Sequence, residues 1–289
     1  MRVLIYGAGV IGSLYAALLS EAGVDITVYA RGKRLRDLQT KGLLYNRNGR
    51  IESAKITVIS SLDDHDRYDC IFLTVREDQL MTALAELKDN ISPTILTMVN
   101  SLDPYERWEE VCGSGRILPA FPGAGGSLEG GVLDAELTPR IIQPTTIGRT
   151  DGREKELAAL FRRAHIPYQI VSDMHVWQIC HLGMVVPIAD AYYEADDAQR
   201  AGEDPLLMNK TARRIRRNFR IIKDNDIKLS PVKMNIFLIL PVSTVAFILG
   251  LIFRSEFGNR FMYQHSMKAP NEMRRLHKQL YTFLGSCRR

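Results

Sequence analysis

The feature that most constrains this chain is the run Gly7-Ala8-Gly9-Val10-Ile11-Gly12. It follows the apolar stretch Val3-Leu4-Ile5-Tyr6 directly. Residues 13–22 come next, with Tyr15, Leu18 and Leu19 at helical spacing, and residues 25–30 form a second apolar stretch. Strand, glycine turn, helix and strand in that order make a βαβ unit. The first glycine makes the tight turn, the second lets backbone approach a diphosphate, and the third lets helix pack on strand. The helix N-terminus then offers N–H groups and partial positive charge to phosphates. The expectation is a dinucleotide site on Gly7, Ala8, Gly9, Val10, Ile11 and Gly12. A glycine-rich turn without a ligand is the plainer alternative.

The second strand ends in Tyr29-Ala30-Arg31-Gly32-Lys33-Arg34, which holds three cations within four residues and no carboxylate. Sites for the unphosphorylated coenzyme place an acid there to accept from the ribose 2′-OH. An acid would repel a 2′-phosphate, whereas an arginine pairs with it bidentately. The expected cofactor is therefore NADP(H), with Arg31 as the leading contact and Lys33 and Arg34 behind it. A solvated basic loop is the bland alternative.

Further strands are expected at residues 56–59, 69–75, 94–99, 117–121 and 167–171, with helices ending near Leu87 and covering residues 153–164. Residues 132–147 read as a hairpin broken near Thr138-Pro139. Loops at the carboxyl edge of a parallel sheet face the ligand, which makes Val75, Arg76, Gln79 and Asn100 candidates. The alternation implies a doubly wound sheet with an antiparallel extension. Beyond about Asp173 the strand signals stop. The expected fold class is α/β, a Rossmann-type dinucleotide-binding domain over residues 1–172 followed by an all-helical domain over 173–289.

In the helical half, residues 175–193, 205–223 and 271–284 read as helices. The second carries Lys210, Arg213, Arg214, Arg216, Arg217, Arg220 and Lys223 opposite an apolar stripe, read as a solvated basic face. Residues 236–253 are uncharged, yet Pro241 and Gly250 interrupt them. They are expected to form two shorter helices buried in a core or between subunits, not a membrane span. A homodimer interface is one alternative for this stretch.

Hydrophobic residues make up 46% and charged residues 25% of the 289, which excludes a disordered or fibrous chain. A net charge of +5 is too small to make nucleic acid the default partner. Four cysteines without CxxC spacing, and no zinc-type Cys/His cluster, point to a reduced cytoplasmic protein without a metal. No signal peptide is expected, since the first apolar run ends at once in the glycine turn.

These residues together resemble the ketopantoate reductase (2-dehydropantoate 2-reductase) family. The likeness rests on the GAGVIG turn, Arg31, Asn100 closing a strand, Trp177 on the first helix of a helical half, and His265-Ser266-Met267 with Asn271-Glu272-Met273 near the end. Phe121-Pro122-Gly123-Ala124-Gly125-Gly126 and Gln143-Pro144-Thr145-Thr146-Ile147-Gly148 are similar to a divergent branch. The resemblance implies NADPH-dependent reduction of a small 2-keto acid to a 2-hydroxy acid, as in pantothenate biosynthesis. It implies that Glu272 contacts the coenzyme ribose and Ser266 the substrate, and that Asn100 serves both coenzyme and catalysis. The family's general acid is a lysine shortly after Trp177, where this chain has Ile179. Two asparagines expected around Gly183 and Val186 are absent, Arg76 stands for a second lysine, and Ser101 for a glycine. His181 is then the candidate acid, or else a packed structural histidine, and Cys180 reads as a buried inert thiol. Two rival readings are an NADP(H)-binding protein that lost the chemistry, and a 3-hydroxy-acid dehydrogenase of similar plan.

Overall fold

The apolar run that opens the chain becomes a central strand covered on both faces. In the computed structural model, which describes residues 1–63 and 65–287, the chain divides into units Met1–Ser172 and Asp173–Arg289. The first unit runs β1 (Arg2–Tyr6), α1 (Val10–Glu21), β2 (Asp25–Tyr29), α2 (Gly32–Lys41), β3 (Leu43–Arg47), β4 (Arg50–Ala54) and β5 (Thr57–Ile59). It continues with β6 (Cys70–Leu73), a 3₁₀ turn at Glu77–Gln79, α3 (Leu80–Glu86), β7 (Ile95–Met98), α4 (Tyr105–Cys112) and β8 (Ile117–Phe121). It ends with β9 (Ala124–Glu129), β10 (Val132–Leu137), β11 (Thr145–Gly148), α5 (Arg153–Arg163) and β12 (Tyr168–Val171).

Among the described residues, eight strands form one sheet in the order β12-β11-β8-β7-β6-β1-β2-β5. Its pairs are parallel except β11 with β8. Period-two alternation decides which layer each side chain enters. Val3 and Ile5 of β1 join Leu14, Tyr15 and Phe161 on one face. Leu4 and Tyr6 join Tyr29, Leu80, Leu84 and Trp108 on the other. The chain winds outward from β1 through β2 to β5, then returns to β6 on the other flank of β1. The carboxyl ends of β1 and β6 are thus a topological switch point, where ligands bind in such sheets. This is the α/β, Rossmann-type plan expected from the sequence.

A second sheet, ordered β4-β3-β10-β9, lies apart from the first. It corrects the hairpin expected over residues 132–147. β10 pairs antiparallel with β9 and parallel with β3, while β11 enters the main sheet. Gly130 and Gly131, both at positive φ, make the tight turn that joins β9 to β10. The partners that 132–137 and 145–147 would have offered each other are taken by β9 and by β8 and β12.

The second unit contains α6 (Met174–Glu194), α7 (Pro205–Asp224), α8 (Ile236–Ile239), α9 (Val242–Phe253), α10 (Glu256–Gly258), α11 (Gln264–Lys268) and α12 (Pro270–Ser286). Asp173 caps α6 by accepting from the Val176 N–H at 2.9 Å. Asp204 caps α7 by accepting from Leu206 and Leu207 at 2.8 and 3.0 Å, with Pro205 opening the helix. The basic face of α7 is not wholly solvated, as its sequence suggested. Arg216 donates from Nε to the Phe237 carbonyl at 3.0 Å and from Nη2 to the Leu240 carbonyl, satisfying the end of α8. Lys210 and Arg214 both pair with Glu194 of α6, at 2.9 and 2.6 Å.

The uncharged stretch breaks at Leu240-Pro241, and its two helical arms bend by 118°. Among the described residues no single helix is long and apolar enough to cross a membrane. Within this chain one face of the stretch is buried in the core of the unit. Val245, Ala246, Leu249, Gly250 and Phe253 are buried, whereas Ile236, Ile239, Phe247, Ile248 and Leu251 are exposed. A surface helix presents one stripe to its core, whatever the composition of the opposite side.

Pro187 sits inside α6 and has no N–H for the carbonyl of residue 183, four positions earlier. Asn218 of α7 fills that gap, donating from Nδ2 to the Gly183 carbonyl at 3.1 Å. Gly183 permits the approach, since a Cβ there would meet Phe219 at 3.1 Å. Replacing Asn218 with Leu leaves a buried carbonyl without a partner. The expected loss is about 1–3 kcal/mol of stability, read from the urea midpoint of unfolding.

Candidate functional site

The three glycines of the turn do three separate things. Gly7 has φ +113°, and a Cβ on it would lie 2.9 Å from the Thr74 carbonyl oxygen. Gly12 lets α1 settle on β1, because a Cβ there would come within 2.0 Å of the Gly7 carbonyl oxygen and 2.9 Å of Ile5. Gly9 is different, since a Cβ on it would meet nothing within 4 Å. Close packing therefore explains Gly12 and backbone conformation explains Gly7, while Gly9 leaves one side of the turn open. Gly9 is also the N-cap of α1 and brings no side-chain cap to the helix end. An uncapped helix terminus beside an open, glycine-lined cradle fits a diphosphate. Thr74, after β6, ties the switch point together, donating from Oγ1 to the Gly7 carbonyl at 2.8 Å and from N to the Tyr6 carbonyl at 2.9 Å.

The basic stretch after β2 is the start of α2, not a loop, and its cations diverge. Lys33 is exposed. Arg34 is half-buried and turns back to the glycine turn. It donates from Nε to the Ala8 carbonyl at 3.1 Å, from Nη2 to Ser13 Oγ at 3.1 Å and from Nη1 to the Gly131 carbonyl at 3.3 Å. These bonds hold the guanidinium against the turn, away from the secondary place at a 2′-phosphate that the sequence reading gave it. Arg31 stays at the mouth of β2. It donates from Nε to the Tyr29 hydroxyl at 2.6 Å, lies over the Tyr29 ring, and pairs through Nη2 with Glu86.

Glu86 is the residue the sequence reading missed. It closes α3, more than fifty residues beyond Arg31, so no local pattern announced it. Its carboxylate also accepts from the hydroxyls of Tyr6 and of Tyr29, the latter at 3.4 Å. Burial works to raise its carboxyl, but bonds from Arg31 and Tyr6 outweigh burial and hold it below the usual carboxylate range. The Tyr6 hydroxyl is pushed up by burial and by that same carboxylate.

The other candidates of this unit line the carboxyl edge. Val75 is half-buried against the α3 layer, and Arg76, which precedes the 3₁₀ turn, and Gln79, which ends it, are exposed. Asn100, just after β7, is 8% exposed, and its Oδ1 is buried without a hydrogen-bond partner. Such an orphan is uncommon in a folded chain and suits a group meant for a ligand. Ser101, where a glycine was expected, accepts from the Asp103 N–H at 3.1 Å and so shapes the loop.

In the helical unit, Ile179 is buried in α6 and offers no proton. His181 is 4% exposed and stacked on Trp177, with ring centroids 4.9 Å apart. Burial, with His265 adding to it, pushes its imidazole down to about 3. An imidazole held neutral at pH 7 keeps one N–H but is not the cationic acid that the sequence reading offered for His181. The packed-histidine alternative fits. Cys180 is a thiol pushed up to about 11 by burial, and it accepts from the Ser230 N–H at 3.4 Å. Ser266 is buried on α11, and its carbonyl accepts from the Tyr193 hydroxyl at 2.5 Å. Glu272 lies in the first turn of α12, where its charge suits the helix dipole. Gly183 and Val186 stand where asparagines were expected, with Gly183 committed to the packing described above. A polar groove of about 430 Å³, which the sequence did not suggest, lies along this unit between the His277–Asp190 pair, Arg217 and Tyr281. Among the described residues, no group of three or more His, Cys, Asp or Glu side chains is placed to hold a metal. The His181 imidazole has a pH consequence. Its folded value lies below the unfolded value of about 6.5, so the unfolded chain binds the extra proton first. Stability should fall as pH drops from about 6.5 towards 3, by about 2 kcal/mol at pH 5. Denaturant titrations at pH 7 and 5 should show this loss in the wild type, and less of it in His181→Gln.

The family model described as Ketopantoate reductase PanE/ApbA matches residues 3–152. A 2-dehydropantoate 2-reductase of Mesorhizobium japonicum is 31% identical over 142 residues, covering 47% of this chain and 38% of that protein. The matches span 38–58% of the length of the curated relatives. Among solved structures, 2-dehydropantoate 2-reductase from Methylococcus capsulatus aligns with 99% of this chain and 94% of its own, with TM-score 0.66 and 16% identity. A D-mandelate dehydrogenase in complex with NADH aligns with 99% of this chain and 100% of its own, also with TM-score 0.66 and 16% identity. At these identities the solved structures speak for the fold. With the family match covering just over half of its length and containing the glycine turn, Arg31 and Asn100, the chain belongs to the ketopantoate reductase PanE/ApbA family.

Proposed function

We propose that this chain reduces a small 2-keto acid to the 2-hydroxy acid with NADPH. The observation that carries the reading is the open face of Gly9 at an uncapped helix terminus, on the same sheet edge as the orphaned Asn100 amide oxygen. The names of the related proteins support the substrate class, since mandelate and pantoate are both 2-hydroxy acids. In this reading the α1 amides and Gly9 hold the diphosphate, and Arg31 pairs with the 2′-phosphate. Val75, Arg76 and Gln79 border the nucleoside. Glu272 accepts from a ribose hydroxyl, and Ser266 contacts the acid. Asn100 orients the reacting groups, its amide donating while Oδ1 accepts. The coenzyme, when bound, supplies the hydride.

A second reading has one observation in its favour. From Ile179 to Val186, α6 carries no titratable side chain except the buried His181 and Cys180. A protein that binds NADPH without turning it over would look the same there.

The test is a titration with NADPH, followed by a panel of 2-keto acids, ketopantoate included, with absorbance of the reduced nicotinamide as the readout. Binding with oxidation by at least one acid is expected. Binding without oxidation by any of them selects the second reading, and no binding overturns both. Arg31→Ala should weaken NADPH binding by about tenfold to a hundredfold, the range for losing a charge-assisted pair of about 1.5–3 kcal/mol. Asn100→Ala should lower kcat by about 10²-fold or more, with NADPH affinity little changed.

A further inference from the structure

We propose that Glu86 sets the choice between the two nicotinamide coenzymes, by competing with a 2′-phosphate for Arg31. The inference rests on the dinucleotide site of the reading above. It concerns a residue outside the glycine turn and outside the segment after β2.

Arg31 can grip a phosphate through either of two planar edges, Nε with Nη2 or Nη1 with Nη2. The first edge is taken at both positions, Nε by the Tyr29 hydroxyl at 2.6 Å and Nη2 by Glu86. The second edge shares Nη2 with Glu86, so a phosphate bound there would sit beside a carboxylate. Nor is Glu86 held by Arg31 alone. The hydroxyls of Tyr6 and Tyr29 also donate to it, and both rings are buried at the strand ends and packed 4.6 Å apart. When Arg31 turns to a phosphate, the carboxylate therefore stays where the two tyrosines keep it. It then repels the dianion, as like charges do at short range. An unphosphorylated ribose meets the same carboxylate as an acceptor for its 2′-OH, the role an acid at the end of the second strand plays in NAD sites. Arg31 and Glu86 thus pull in opposite directions, one towards NADPH and the other towards NADH.

The experiment measures dissociation constants for NADPH and NADH by nicotinamide fluorescence, for the wild type and Glu86→Gln. Glutamine keeps the size and can still accept from Arg31 and Tyr6, and the site is partly exposed, so thermal melting should change little. The expected result is tighter NADPH binding in Glu86→Gln by about fivefold or more, with NADH unchanged or weaker. The wild type should hold both coenzymes within about a hundredfold of each other. An NADPH-to-NADH ratio that Glu86→Gln leaves within twofold of wild type overturns the role of Glu86 and leaves the dinucleotide site standing. Failure of the wild type to bind either coenzyme overturns the underlying reading as well.

Discussion

The contact between α1 and β1 at Gly12 is the constraint on which the first unit depends. With no Cβ in the way, the helix lies against Ile5 and the Gly7 carbonyl. That closeness aims the helix terminus along the carboxyl edge of the sheet and leaves Gly9 facing outward. Thr74 from β6 and Arg34 from α2 then bond the same turn from two sides. A side chain at position 12 would lift the helix and disconnect all three. The turn is thus a packing junction first and an anion cradle second, and the same missing atoms serve both.

What could be read from the sequence was whatever announces itself locally. The glycine turn, the buried strands and the amphipathic helices α5 and α12 have periodicity or spacing that survives without tertiary knowledge, and their inward residues Leu157, Phe161, Leu276 and Leu280 are buried as expected. Arg31 was visible for the same reason, being two residues beyond an apolar strand. Glu86 was not, because its place beside Arg31 depends on how α3 crosses the sheet. The β3–β4 and β9–β10 hairpins have weakly alternating, polar strands, and the local signal that could have found them is the pair of two-residue turns Asn48-Gly49 and Gly130-Gly131. The neighbourhood of His181 was partly legible, since helical spacing puts it on the same side of α6 as Trp177, four residues earlier, whereas the depth of burial around the imidazole depends on the helices packed against it.

The first helix of the second unit departs from the family's expected pattern in a consistent direction. Where the resemblance leads one to expect polar groups, Ile179 and Gly183 are buried in packing, and His181 is stacked on Trp177. In the first unit the glycine turn keeps an open face at Gly9. A cradle built from backbone tolerates sequence drift, because only the glycines and the helix direction must persist. A proton donor is one side chain and is lost in one substitution.

Pro187 and Asn218 extend this packing to the neighbouring helix. A proline within a helix ordinarily marks a point where strands of solvent can enter and the rod can hinge. Here the broken rung is completed from the neighbouring helix, so α6 cannot loosen at its midpoint while α7 stays in place. The amides flanking Pro187 should then share one protection factor with those around Asn218, making the helix pair a single cooperative element in hydrogen exchange.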